Sequence, residues 1–247
     1  MPPSLILLRG LMHESGHWHG FESRLAAALP EWQIQCCDNP GVGDQYDRPA
    51  PWSIAAMADD LAQRCGPGPH LLVATSLGAM IAASWAERHP STVTGLLLLV
   101  PSMAEAPLLA RLQPRAMGLL LLALARRRAP AVAALVQQMT SNRRDDPGHR
   151  RIAAERIVLA RRFPPRRAVL LRQLWAASRF RLPPSPPCPA RILNSSGDRM
   201  VQPACGHIWA RRWHCSYHRH PSAGHDLATD APEWLLRQIS DFANALR

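Results

Sequence analysis

The sequence predicts an α/β protein: a mostly parallel central sheet with helices on both faces. Three observations carry this. Near-continuous apolar runs at residues 5–8, 71–74 and 95–99 have the composition of strands buried on both faces. These runs alternate with stretches of helical periodicity, the rhythm of βαβ units with right-handed crossovers. The chain of 247 residues is long enough to bury roughly three quarters of its unfolded surface in one domain, and the alternation breaks only once, for a long helical stretch.

The first strand covers residues 4–9 and ends in Arg9-Gly10-Leu11-Met12. His13-Glu14-Ser15-Gly16-His17 then matches the zinc pattern H-E-x-x-H. Two such histidines share a metal only when they lie one turn apart on a regular helix. Ser15-Gly16 interrupts any helix here, and Ser23 stands where the extended pattern needs a third histidine. The stretch therefore reads as a polar loop leading into a helix over residues 18–29, with Phe21, Leu25 and Leu29 on one face. A second strand over 32–37 opens onto Asp38-Asn39-Pro40-Gly41-Val42-Gly43, a tight loop by its Pro and Gly content. Ser53 is suited to cap a helix running to about residue 63, with Ile54, Met57 and Leu61 spaced for burial. The apolar run Leu71-Leu72-Val73-Ala74 leads through Thr75 to Ser76 and at once into a helix, and another buried strand spans 94–100.

After Pro101 the strands stop. Residues 103–180 are helical in pattern, cut by Pro107, Pro114, Pro130, Pro147, Pro164 and Pro165. Of the formal net charge of +11, this region supplies more than all: residues 103–185 hold seventeen arginines against four acids, and the chain has no lysine. Such an excess reads either as a solvated helical face or as an electropositive lid that attracts an acidic partner. A proline-rich connector over 182–189 returns to the core. A strand at 190–195 leads to Gly197-Asp198-Arg199, then come a helix over 203–212 and a strand over 215–219 that leads to Gly224-His225-Asp226. Asp230 and Glu233 have capping-box spacing for a last helix over 232–246. The six cysteines lack C-x-x-C spacing and read as thiols of a reducing, cytoplasmic compartment. The N-terminus has neither the basic segment nor the cleavage site of a signal peptide, and no apolar run approaches the ~20 residues of a membrane span.

The chemistry centres on Ser76. A serine on a sharp strand-to-helix turn, with small residues two before and two after, has its Oγ forced out above the sheet. Ala74 and Gly78 fill those places. A hydroxyl needs a base to act as a nucleophile, and the base needs an acid to hold its tautomer. Ser76, Asp198 and His225 each follow an apolar strand, and in a parallel sheet all such strand ends share one edge. Glu105 is a rival acid after the preceding strand.

Together, the order of these residues, the helical insertion before the acid strand, Asp38-x-Pro40-Gly41-x-Gly43 and the loops at Gly197-Asp198 and Gly224-His225 resemble the α/β-hydrolase superfamily. The resemblance covers the chain outside the insertion. It implies an α/β-hydrolase core in two parts, residues 1–102 and 186–247, around an arginine-rich helical lid at 103–185, and it implies a catalytic triad of Ser76, Asp198 and His225. It also implies an oxyanion hole from the backbone N–H groups of Leu77 and Leu11. Arg9 departs from the family's usual His before Gly, and the first two strands of the family are missing from the pattern. The chain looks most like small lid-bearing serine esterases, among them those acting on pimeloyl-[acyl-carrier-protein] methyl esters. This implies hydrolysis of an acyl ester or thioester without cofactor or metal. An acidic acyl carrier protein or acyl-CoA would face Arg126, Arg127 and Arg128. Met103, Leu108, Leu109, Met117, Leu121 and Trp175 are as suited to lining an acyl pocket as to packing helices. The alternatives are a non-catalytic ligand-binding protein of the same fold, a C–C hydrolase or perhydrolase using the same triad, and a basic lid binding nucleic acid or an anionic membrane surface.

Overall fold

The computed structural model describes residues 3–125, 129–143 and 147–246. Six strands form one sheet in the order β2-β1-β3-β4-β5-β6: β1 (Ser4–Leu8), β2 (Gln33–Cys37), β3 (His70–Thr75), β4 (Val93–Leu99), β5 (Ala190–Ser195) and β6 (Ser216–His220). Every pairing is parallel. Alternation of side chains along the central strands divides the core in two. Ile6, Leu8, Leu72, Leu96, Leu98 and Ile192 pack on one face with α2 (Ile54–Cys65), α3 (Leu77–Arg88) and α9 (Pro203–Trp213). Leu5, Leu7, Leu71, Val73, Leu97 and Leu193 pack on the other with α1 (Phe21–Ala28), α10 (Leu227–Asp230) and α11 (Pro232–Ala245).

Register places the functional edge. Leu8 pairs with Ala74, Ala74 with Leu98, Thr75 with Leu99, and Leu99 with Leu193. The loops after β1, β3, β4 and β5 therefore start side by side. Between β4 and β5 the chain inserts α4 (Leu108–Arg111), α5 (Pro114–Ala125), α6 (Ala129–Thr140), α7 (Pro147–Arg162) and α8 (Arg167–Arg179). Pro114 and Pro147 occupy first helical positions, where a missing N–H costs no hydrogen bond.

Two local expectations change. The helix foreseen over 18–29 is a 3₁₀ turn, Ser15–Trp18, then α1, because His19 and Gly20 adopt left-handed φ values of 52° and 83°. Asp230 does not cap α11, whose N-cap is Ala231. Its carboxylate instead accepts from Ser141 Oγ, Asn142 N and Gly224 N, at 2.6, 2.8 and 2.6 Å. The cap foreseen at Ser53 is present, with Ala56 N donating to its Oγ at 3.2 Å. All six cysteines are free, and among the described residues no helix is long and apolar enough to cross a membrane.

Candidate active site

Ser76 sits between β3 and α3 at φ 55°, ψ −113°, a backbone conformation that non-glycine residues rarely adopt. The turn is held by Ser76 N donating to Leu99 O at 2.8 Å. It is also tight. A Cβ on Gly78 would come within 2.7 Å of Arg9 O and 3.0 Å of Leu8 O, and one on Gly10 within 3.2 Å of Ser76 Cβ. The small residues noted in the sequence are thus the room that the end of β1 needs to pass over the elbow.

His225 comes from the loop after β6, and its Nδ1 lies 2.7 Å from Asp198 Oδ2. Asp198 Oδ1 accepts from Met200 N at 2.8 Å and Val201 N at 3.0 Å. With one oxygen held by amides and the other by the ring, Asp198 fixes the imidazole with its proton on Nδ1, so that Nε2 is left as a base. Ser76 and His225 line one cavity of about 360 Å³. Asn142, at the end of α6, ties the acid and base loops together, its Nδ2 donating to Gly197 O at 2.8 Å and Ser222 O at 3.0 Å. Glu105 lies elsewhere, paired with Arg212 at 3.1 Å. Leu77 opens α3, so its N–H has no acceptor a turn earlier. Leu11 lines the cavity in a turn closed by His13 N donating to Gly10 O at 3.1 Å. Gln173 Oε1 of α8 braces that turn, accepting from Met12 N at 2.9 Å.

Arg9 has a role that the sequence did not disclose. Its guanidinium is 2% exposed, stacks 4.7 Å from the Trp18 ring and makes two bonds to Asp226, at 3.2 and 2.8 Å. Arg156, 1% exposed, reaches the same carboxylate at 2.6 Å from α7. The two guanidiniums hold the Asp226 carboxyl well below the usual carboxylate range against the opposing effect of burial. Next to them His13 and His17 stack, centroids 4.4 Å apart. Burial, reinforced by Arg9 and Arg156, lowers both imidazoles far below the ordinary histidine range. His13 precedes the 3₁₀ turn that holds His17, so the two do not lie one turn apart on a regular helix. Among the described residues, no group of three or more His, Cys, Asp or Glu is placed to share a metal ion.

The apolar wall decides between the two readings of the insertion's large side chains. Leu112, Ala116, Leu120, Val136, Leu159 and Leu174 line the cavity. Met103, Leu108, Leu109, Met117, Leu121 and Trp175 do not: Met103 lies in the core, and Leu108, Leu109, Leu121 and Trp175 face outward at 48 to 63% exposure. The insertion does cover the site, but with a different helical face from the one those residues mark. Arg126, Arg127 and Arg128 lie outside the described residues.

A family model described as the alpha/beta hydrolase family matches residues 5–238. Over 93 residues the chain is 37% identical to the pimeloyl-[acyl-carrier protein] methyl ester esterase of Yersinia pseudotuberculosis serotype O:1b (strain IP 31758), covering 38% of this chain and 34% of that protein. It is 34% identical over 106 residues to lipase LipV of Mycobacterium tuberculosis (strain ATCC 25618 / H37Rv), covering 42% and 39%. The matched stretch thus spans little more than a third of these curated relatives. Among solved structures, a thermophilic esterase from Thermogutta terrifontis superposes with a TM-score of 0.77 at 19% identity, over 99% of this chain and 90% of that one. At such identity the match speaks for the fold.

Proposed function

The chain belongs to the α/β-hydrolase family, and from that premise we propose that it is a serine hydrolase cleaving an acyl ester or thioester through an acyl-Ser76 intermediate. The observation that carries the reading is the Asp198–His225 bond of 2.7 Å beside a cavity that Ser76 enters from a strained elbow. Ser76 Oγ attacks the acyl carbon while His225 Nε2 takes its proton, and the carbonyl oxygen becomes an oxyanion facing the N–H groups of Leu77 and Leu11. As the intermediate collapses, the bond to the leaving oxygen or sulfur breaks, and His225 returns the proton to it. Water then attacks the acyl-serine with His225 again as base, releasing the acid and restoring Ser76. Asp198 stabilises the imidazolium in both halves.

Residues 103–185 serve in this reading as a lid that supplies most of the apolar wall. Its arginine excess, which includes Arg126, Arg127 and Arg128, fits an acidic acyl carrier protein or acyl-CoA as the bearer of the acyl group. The carrier type is that of one relative, a pimeloyl-[acyl-carrier protein] methyl ester esterase.

The test is labelling with a fluorophosphonate probe, followed by turnover of p-nitrophenyl esters. Wild type is labelled, and Ser76→Ala is not and loses about 10⁴-fold or more in kcat with its melting temperature nearly unchanged. A folded wild type that takes no label overturns the reading in favour of a ligand-binding protein of the same fold.

A further inference from the structure

The cavity wall carries more positive charge than the triad needs. Four arginines (Arg9, Arg156, Arg166 and Arg167) line it against two carboxyl groups, Glu14 and Asp226. The innermost part of this charge is buried: Arg9 and Arg156 converge on the single carboxylate of Asp226, all three at 2% exposure or less. Two guanidiniums on one carboxylate leave one positive charge in a setting with little solvent to screen it. Two further acids sit close by but do not line the cavity. Glu155 pairs with His19 at 2.7 Å, and Asp230 is taken by Ser141, Asn142 and Gly224.

Donors accompany the charge. His17 Nδ1 accepts from Glu14 N at 3.2 Å, which puts the proton of the neutral ring on Nε2. His13, stacked against it and also at the cavity wall, has a buried Nε2 with no partner, as do Nε of Arg9 and Nε of Arg156. The arginine Nε–H groups are donors, and the neutral His13 ring presents Nε2–H in one of its two tautomers; buried donors left unpaired cost free energy that a bound acceptor returns.

We propose that the Arg9–Arg156–His13–His17 wall is a subsite for a carboxylate on the substrate itself, so that the preferred substrates are monoesters or monothioesters of dicarboxylic acids. The inference rests on the reading of Ser76 as nucleophile. At the buried cluster of Arg9, Arg156 and Asp226 the single surplus charge matches one carboxylate. Glu14, whose carboxyl is pushed up to about 7 by burial and by Asp38, opposes the anion less than an ordinary glutamate would.

Binding to Ser76→Ala, which cannot turn over, tests the subsite apart from catalysis. Calorimetry compares monomethyl glutarate with dimethyl glutarate, which differ in the charge. The subsite predicts at least tenfold tighter binding of the monoester, a preference that falls to within threefold in Ser76→Ala/His13→Leu/His17→Leu. Should that variant not fold, the ring resonances of His13 and His17 in Ser76→Ala give the same answer, moving with the monoester and not with the diester. Equal affinities, a preference that survives loss of both rings, or unmoved resonances overturn the subsite. Selective binding in a protein whose wild type hydrolyses no ester leaves the subsite standing and removes the hydrolase reading instead.

Discussion

The carboxyl edge of the sheet and the helical insertion meet at the same cavity, yet they are built on different terms. At the edge, Leu8, Ala74, Leu98 and Leu193 are fully buried, and a glycine at 78 is required because backbone passes within 3 Å of where a Cβ would stand. In the insertion, Leu108, Leu109 and Leu121 stand about 60% exposed, and the helices are separated by prolines rather than by strands. The edge leaves no room for an added Cβ at position 78 and holds Ser76 in a strained turn. The insertion fixes a shape and a charge. Chemistry and substrate choice are therefore separable by mutation, except where insertion residues such as Gln113, Asn142, Arg156 and Gln173 reach into the edge.

Four variants probe that separation. Asp198→Asn, confined to the edge, lowers kcat by about 10⁴-fold with little change in KM, because the imidazole loses the partner that holds its tautomer; steady-state kinetics on a p-nitrophenyl ester read both. Asp226→Ala strikes the joint between the regions. It leaves two buried guanidiniums without a counter-charge and destabilises the fold by about 3–5 kcal/mol, seen as a melting temperature lower by roughly 10 °C. Replacing Arg126, Arg127 and Arg128 together by Gln acts on the insertion alone. It raises KM for an acyl carrier substrate roughly three- to tenfold and that for a small neutral ester hardly at all; equal changes assign these arginines to a solvated face.

The smallest effect is one of pH. Burial pushes the Glu14 carboxyl up to about 7 and the Asp38 carboxyl to about 6, from ordinary values of 4.5 and 3.8. Between the ordinary and the raised values the folded protein holds protons that the unfolded chain has released. Stability therefore declines as pH rises from about 4 to 7 and stays reduced above that. Glu14→Gln removes its share of this penalty. Its melting temperature gains on wild type between pH 5 and pH 8 by roughly 2–4 °C, and a gap that is constant with pH shows that Glu14 does not titrate in this range.

What the sequence disclosed follows the same division. The strands, the elbow and the loops of Asp198 and His225 were legible because local rules write them: apolar runs, small residues around Ser76, and turn residues before each acid or base. Gly43 belongs here too, since a Cβ at its φ of 53° would collide with the Asp38 carboxylate. The Arg9–Asp226–Arg156 cluster was not legible. Its members are far apart in sequence, and each taken alone reads as an ordinary charge; the only sign was Arg9 in a place where the family keeps His. The lining of the insertion was left open between pocket and packing for a related reason. Apart from the arginine-rich α7, the helices there are rich in leucine and alanine, so periodicity marks an apolar side without telling which part of it meets the core, the cavity or solvent. Asp230 had the spacing of a helix cap, but its carboxylate is held by two donors from the distant loop after α6 and one from the preceding loop at Gly224.

The ion cluster also constrains the order of assembly. Arg9 leaves the ribosome first, Arg156 much later, and Asp226 only near the end of the chain. Until then the first strand carries an arginine whose counter-charge does not yet exist, and the loop closure that joins residue 9 to residue 226 spans nearly the whole polypeptide. The cavity wall is thus among the last parts to take its native form. A nascent chain that stops short of this residue has the Ser76 turn encoded in full but no closed pocket, so the cavity depends on completion of the fold.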